Sequence, residues 1–259
     1  MSSIILGCPT IQYELKQAMT DAHCDIPVYF IPQQLHNSPP ALQKYLQRAI
    51  DNLWNVDRIY ICVSACGGGT AGLTSPTAEL VLPRTRDCVD ILLSGDSLES
   101  LDRPMDGCFF TRGWADFNHN SEHSIQKLTE KKGYEYAKSY VQQLYDGFNK
   151  FYYVDTGLNH LPDIHDMMDP LVEALDGTIT TIPGHYGILK KIANGAIDKD
   201  FMVVAPNQAV DSSAFMQWFE RVVFNSVTAK ITPFLTRLEG TSKLLRNGVI
   251  LRLTAVSQN

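Results

Sequence analysis

The chain reads as an α/β protein, with two Rossmann-like lobes of mainly parallel sheet and a cleft between them. Two observations carry that expectation. Short apolar runs alternate with amphipathic stretches of helical period from residue 4 to residue 93, and the alternation resumes after residue 150. A strand, a covering helix and a further strand form the unit of a parallel sheet buried on both faces.

The elements follow in order. Ile4–Cys8 is a short apolar strand, and Ile11–Met19 has apolar positions at helical spacing. Pro27–Ile31 reads as a second strand. Residues 39–53 carry Leu42, Tyr45, Leu46, Ala49, Ile50 and Leu53 on one face, which predicts a helix. Ser38 is its candidate N-cap, with Pro39 at the first position. Ile59–Val63 is the third strand, Glu79–Leu82 the fourth, and Asp87–Leu93 a short helix. Residues 96–123 read as loop, with a strand at Phe109–Thr111 before Gly113-Trp114. Ser124–Phe148 is predicted as one long helix. After it come a strand at Phe151–Val154, a helix at Asp163–Leu175, a strand at Thr178–Ile182, a helix near Gly187–Asn194 and a strand at Phe201–Ala205.

This divides the chain into an N-terminal α/β lobe (1–95), a connecting loop and long helix (96–150), and a C-terminal α/β lobe with an irregular tail (151–259). In the tail, Phe215–Phe224 is a candidate helix, and Val249–Thr254 is a strand-like run that would form an edge or a subunit contact, or belong to a poorly integrated tail. The second use would make the protein a homo-oligomer.

Composition narrows the function classes. With 44% hydrophobic and 19% charged residues, the 259-residue chain is ordinary for a globular protein. A formal charge of −6 argues against a general nucleic-acid surface. No run approaches the roughly 18 apolar residues of a membrane span. The start, Met-Ser-Ser-Ile-Ile-Leu, has no basic region of a signal peptide. The six cysteines, all within the first 108 residues, therefore read as reduced thiols of a cytoplasmic protein.

The most informative segment is Cys66-Gly-Gly-Gly-Thr-Ala-Gly72, followed by Pro83-Arg-Thr-Arg-Asp-Cys88. Gly67, Gly69 and Gly72 match the spacing of a dinucleotide loop. That loop needs a helix N-terminus directly after the glycines to meet a pyrophosphate. Here Leu73-Thr-Ser-Pro leads into a strand instead, and Leu73 stands where a Walker loop requires lysine. No nucleotide cofactor is expected. Gly67, Gly68 and Gly69 either admit a small ligand or metal close to the backbone, or make a tight turn.

Ligands in open α/β sheets bind outside the carboxyl ends of the strands. Those ends carry Cys8, the Gln33–His36 segment, Cys66 and the Pro83–Cys88 segment. Three thiols and an imidazole at one sheet edge suit Zn²⁺, so Cys66, Cys88, Cys8 and His36 are the candidate ligands. Arg84 and Arg86 would lower thiol pKa values there, and Arg84 could hold an anionic substrate group or pair with Asp87 or Asp90. A helix beginning near Asp87 would act on Cys88 in the same sense. His185, in Pro183-Gly-His-Tyr-Gly, and Asp155 could face the cleft. His119 and His123 have ligand-like spacing in a polar setting that suits a solvated loop.

Cys8 after the first strand, Leu35-His36-Asn-Ser-Pro39, Cys66-Gly-Gly-Gly with Gly72-Leu73, Pro83-Arg84-x-x-Asp87-Cys88 and Gly113-Trp114 together resemble a prokaryotic family catalogued as domain of unknown function 1638. The resemblance covers roughly residues 4–205. In that family the element at Pro83–Cys88 usually reads Pro-Arg-Ala-His-Asp-Cys, so Arg86 stands where histidine is common. The resemblance implies an association with corrinoid-dependent methyl metabolism, and a corrinoid methyltransferase system as partner.

The expectation is a protein that binds zinc and acts in methyl- or thiol-group transfer on a small anionic substrate, with Arg84, Asp87 and His185 as catalytic candidates. Two alternatives stand beside it. One is a non-catalytic module that binds or carries a small ligand or metal cofactor. The other is a metal-free enzyme with Cys66 or Cys88 as nucleophile.

Overall fold

A computed structural model describes residues 2–158 and 161–215, all of which lie in one compact unit. The tail elements expected at Phe215–Phe224 and Val249–Thr254 fall, except for Phe215, outside the described residues. The fold is mixed α/β with mainly parallel sheets.

The first sheet begins with β1 (Ser3–Gly7), whose apolar Ile5 and Leu6 are fully enclosed. The helix α1 (Gln12–Asp21) returns the chain to β2 (Val28–Phe30), and α2 (Pro39–Asp51) returns it to β3 (Arg58–Cys62). Leu42, Leu46 and Ile50 form the buried stripe of α2, as the helical period requires. Then come β4 (Glu79–Pro83) and the six-residue α3 (Cys88–Leu93). The three pairings among β1 to β4 are parallel, with Ile5 opposite both Val28 and Tyr60, and Tyr60 opposite Val81.

The second sheet holds β5 (Cys108–Phe110), β6 (Lys150–Asp155) and β7 (Thr178–Pro183), all parallel. Between β5 and β6 lie α4 (Arg112–Asn120), α5 (Ile125–Lys132) and α6 (Tyr134–Leu144); α7 (Leu161–Ala174) connects β6 to β7. Phe110, Phe151 and Tyr153 from the strands pack with Leu128, Val141, Ile164 and Met168 from the helices.

Three readings are corrected here. The long helix expected over 124–148 is two helices, because Gly133 takes φ 84°, a left-handed conformation that ends α5 before α6 begins. Part of the expected loop is α4, capped by Thr111, whose hydroxyl accepts from Trp114 N at 3.1 Å. Third, after α8 (Gly187–Ala193) the strand read into the C-terminal lobe, β8 (Phe201–Val204), crosses back to the first sheet. It pairs antiparallel with β4, Leu82 opposite Met202, giving the order β2-β1-β3-β4-β8.

No helix among the described residues is long and apolar enough to cross a membrane. All six cysteines are free.

Candidate functional site

The site lies at the carboxyl ends of β1, β3 and β4. After β1 the chain stays against β3, Cys8 N donating to Cys62 O at 3.1 Å. After β3 it turns through two strained residues, Ser64 (φ 64°) and Cys66 (φ 41°), both in the left-handed region that costs a non-glycine residue about 1 kcal/mol or more. The segment that follows β4 fixes that turn. Ala65 N donates to Thr85 O at 3.0 Å, Cys66 N to Arg86 O at 2.8 Å, and Thr85 Oγ1 to Ser64 Oγ at 2.6 Å. These bonds hold Cys66 beside the start of α3, where Cys88 is the first helical residue.

Three thiols meet there. The Cys66 thiol donates to Val63 O, and the Cys88 thiol is directed at the same carbonyl from 3.9 Å. Cys88 is the middle member, its side chain interacting with both Cys66 and Cys8. Cys8 Sγ also lies 3.0 Å from Thr10 Oγ1. Contact with Cys88, then burial, holds the Cys8 thiol well above the usual thiol range. Contact with Cys66, opposed by Cys8 and followed by burial, does the same for Cys88. Behind them Cys62 is pushed up to about 12 by burial and by Cys8.

His36 arrives from a 3-10 turn, Gln33–Asn37. Cys8, His36 and Cys66 line one small cavity with Pro9, Ile31, Pro32, Gln33, Leu42 and Val63, about 10 Å³, room for about one water molecule. His36 is exposed at its mouth. Desolvation lowers its pKa while the Asp87 carboxylate pulls the other way, so the imidazole is neutral at neutral pH. Its ring centroid is 5.4 Å from that of Trp114, and Gln33 Nε2 donates to Gly113 O at 3.2 Å. Gly113 allows this approach, because a Cβ there would lie 2.3 Å from Pro9 O.

The charged residues are arranged differently from the sequence expectation. Arg84 Nε donates to Phe201 O at 3.0 Å, which anchors β8, and Arg84 does not line the cavity. Nor does Arg84 make the expected pair with Asp87 or Asp90, since other arginines hold both carboxylates. Arg86 binds Asp90 in a two-pronged contact (2.8 and 2.7 Å), and Arg103 Nη1 bridges Asp87 (2.7 Å) and Asp90 (2.8 Å). Asp87 also caps α3, accepting from Val89 N and Asp90 N at 3.0 and 3.2 Å. The cationic lowering of thiol pKa values expected from Arg84 and Arg86 is therefore absent at Cys88, whose pKa moves up. Sequence reasoning missed Arg103, which stacks on Phe109 at 4.5 Å and lies in a segment with no periodic signal. It also missed Thr10 as the partner of Cys8.

The remaining candidates are scattered. His185 is exposed at the end of β7 in the other sheet, its backbone N donating to Leu92 O at 2.7 Å, and it does not line the thiol cavity. The Asp155 carboxylate accepts from Gly157 N at 2.9 Å. In the glycine loop, a Cβ on Gly67 would lie 3.1 Å from Pro39 Cγ and one on Gly69 2.6 Å from Leu42 Cδ2, so what approaches these two glycines is the start of α2. Gly68 faces open space. No group of three or more His, Cys, Asp or Glu among the described residues is arranged to hold a metal ion, the pair His119 and His123 included. In the cluster Cys66 and Cys88 are turned to the Val63 carbonyl, and Cys8 to the Thr10 hydroxyl.

The chain belongs to the family described as protein of unknown function (DUF1638), whose family model matches residues 30–193. The match takes in His36, Cys66, Cys88 and Trp114, and Cys8 lies before it. No curated protein and no solved structure matches the chain.

Proposed function

We propose that Cys8, Cys66 and Cys88, with His36 at the mouth, form the binding site of a thiophilic divalent metal ion, zinc before others. The observation that carries the reading is that Cys88 interacts with both Cys8 and Cys66, three thiols from three strand ends, with Cys8 and Cys88 held protonated by their surroundings. A cation reverses that electrostatic preference, because a coordinating thiol is deprotonated outright. Thiolates with a neutral imidazole are a donor set suited to zinc. Bound there, zinc would supply Lewis-acid activation of a thiol or methyl-donor substrate. The chain's own groups would hold the ion, admit a small ligand through the cavity and keep His36 neutral. In this reading the two sheets act as Rossmann-like lobes, with the ligand entering at their carboxyl ends.

A second reading has a specific observation in its favour. The thiols face oxygen atoms, and Cys66 is partly exposed, which suits a metal-free enzyme with Cys66 as nucleophile. Metal analysis of anaerobically purified protein separates the two. The metal reading expects about one ion per chain, lost in Cys66→Ser and Cys88→Ser. Metal-free protein with rapid, selective alkylation of Cys66 would overturn it in favour of the nucleophile.

A further inference from the structure

Cys66 and Cys88 follow neighbouring strands, β3 and β4. Ala65 N donates to Thr85 O and Cys66 N to Arg86 O, which prolongs the pairing of those strands past their last residues and brings the two segments side by side. Both thiols then reach one acceptor. The Cys66 thiol donates to Val63 O, and Cys88 Sγ lies 3.9 Å from the same oxygen. The two side chains also interact with each other. Their access to solvent differs, because Cys66 is partly exposed whereas Cys88 is 5% and Cys8 4% exposed. An accessible thiol with an enclosed thiol beside it is the arrangement of a nucleophile and its resolving partner.

The cavity beside Cys66 limits the reactant. With room for about one water molecule, it is too small for an organic disulfide. No lysine or arginine lines it among the described residues, so an anionic oxidant would lose hydration there without gaining a charged partner. A neutral oxidant close to water in size meets both limits, and hydrogen peroxide is such a molecule.

We propose that Cys66 and Cys88 form a redox-active dithiol that reduces hydrogen peroxide. The Cys66 sulfur attacks one peroxide oxygen. An S–O bond forms, the O–O bond breaks, and the released hydroxide leaves as water with the thiol proton. The Cys88 sulfur then attacks the Cys66 sulfur, forming the S–S bond as the S–O bond breaks. The second hydroxide leaves as water with the Cys88 proton. The dithiol is oxidised by the two electrons that the peroxide gains. This inference rests on the Cys66 nucleophile of the second reading above, and it needs neither a metal nor His36.

The test uses the full-length protein, reduced and stripped of metal with a chelator. It is treated with one equivalent of hydrogen peroxide, alkylated under denaturing conditions and mapped by non-reducing peptide mass spectrometry. Wild type is expected to lose two of its six thiols and to yield peptides joined through Cys66 and Cys88, separable by dithiothreitol. Cys88→Ser should stall after the first step, with a sulfenic acid on Cys66 that a dione probe labels. Cys66→Ser should consume peroxide at least about 10-fold more slowly, and Cys24→Ser should match wild type. The peptide map is made on wild type, so it decides even where a variant does not fold. Oxidation of Cys24 or Cys108 ahead of Cys66, or a sulfinic acid on Cys66 with Cys88 left free, would overturn the inference alone if iodoacetamide still alkylates Cys66 rapidly. If neither peroxide nor iodoacetamide singles out Cys66, the nucleophile reading falls with it.

Discussion

Gly113→Ala tests how the two sheets are joined at the site. An ideal Cβ at this position would lie 2.3 Å from Pro9 O, 2.8 Å from Thr10 O and 2.9 Å from Thr10 C, where ordinary contact begins at 3.4 Å. All three are backbone atoms, so no side-chain rotation relieves the overlap. Either α4 or the Pro9–Ile11 turn has to move by about 1 Å, which overpacking data put at about 3 kcal/mol. Alanine returns about 1 kcal/mol as the better helix former, leaving a net loss of about 2 kcal/mol, or roughly 4–8 °C in Tm for a domain of this size. Gly68→Ala is the control. Its Cβ meets nothing within 4 Å, and the substitution bears only the left-handed φ of 94°, a cost of about 1–2 kcal/mol. The two variants are separated by a second readout, because only Gly113→Ala disturbs the turn that carries Thr10 and the contact that faces His36. Thermal unfolding by circular dichroism should be paired with the rate at which a chromogenic disulfide reagent labels Cys8 and Cys88. Gly113→Ala should raise that rate and Gly68→Ala should not. Tm within about 1 °C of wild type, or unchanged labelling, would refute the claim that this close approach organises the site.

Other consequences are as direct. Asp90 is 1% exposed between Arg86 and Arg103, so Asp90→Asn should cost about 3 kcal/mol in urea denaturation at pH 7. Burial raises the Asp90 pKa but the two arginines outweigh it, and the net shift is downward. Its contribution is therefore present above the ordinary carboxylate value and lost as pH falls through the lower folded value. The gap between wild type and Asp90→Asn should close below about pH 4; a gap that persists there contradicts the pairing. Glu14 is fully enclosed, with one oxygen accepting from Thr156 Oγ1 at 2.9 Å and the other unpartnered, and burial raises its pKa. Its stabilising effect is thus complete below the unfolded carboxylate value and lost as pH rises through the folded one. Glu14→Gln should flatten the fall in urea midpoint as pH rises above the ordinary carboxylate value, and identical slopes in the two proteins would count against this. If metal binds the thiols, Cys8 and Cys88 must each release a proton, whereas His36 is already neutral. Zn²⁺ affinity in competition with a chromogenic chelator should rise about 100-fold or more per pH unit near neutrality. A flat profile would remove these thiols from the ligand set.

The sheet edge was legible in the sequence because strand ends are. Apolar runs at Ile4–Cys8, Ile59–Val63 and Glu79–Leu82 lie within a residue or so of β1, β3 and β4. Once those strands are parallel, the residues after each one fall on one edge, and Cys8, Cys66 and Cys88 are in contact there. The contribution of α4 was hidden because its sequence, Arg-Gly-Trp-Ala-Asp-Phe-Asn-His-Asn, is mostly polar and carries a glycine. Its helical state comes from the Thr111 cap and from packing on two layers, and both are tertiary facts. The run Phe201–Val204 shows as a strand by composition, but nothing in four residues states direction or partner. The bonds from Arg84 to Asp200 O and Phe201 O, which draw β8 to β4, exist only after folding. Arg103 was invisible for the same reason, since its carboxylate partners lie thirteen and sixteen residues away across a loop.

The distribution of charge decides what kind of ligand the thiol cluster favours. At the start of α3, Arg86 and Arg103 are matched by Asp87 and Asp90, so this group adds no net positive charge beside Cys88. Arg84 is turned to a backbone carbonyl of β8, and no lysine or arginine lines the cavity among the described residues. An anion entering there would lose hydration without gaining a charged partner. A second thiolate beside the first would suffer in the same way, which is why Cys8 and Cys88 hold their protons. One arriving species improves both situations. On the metal reading proposed above, a soft cation would make thiolates of the buried thiols and then offer an anionic or thiol ligand the positive charge that the protein withholds. On that proposal, recruitment of an anionic substrate at this cavity would depend on metal occupancy, a dependence that an arginine-lined pocket would not have.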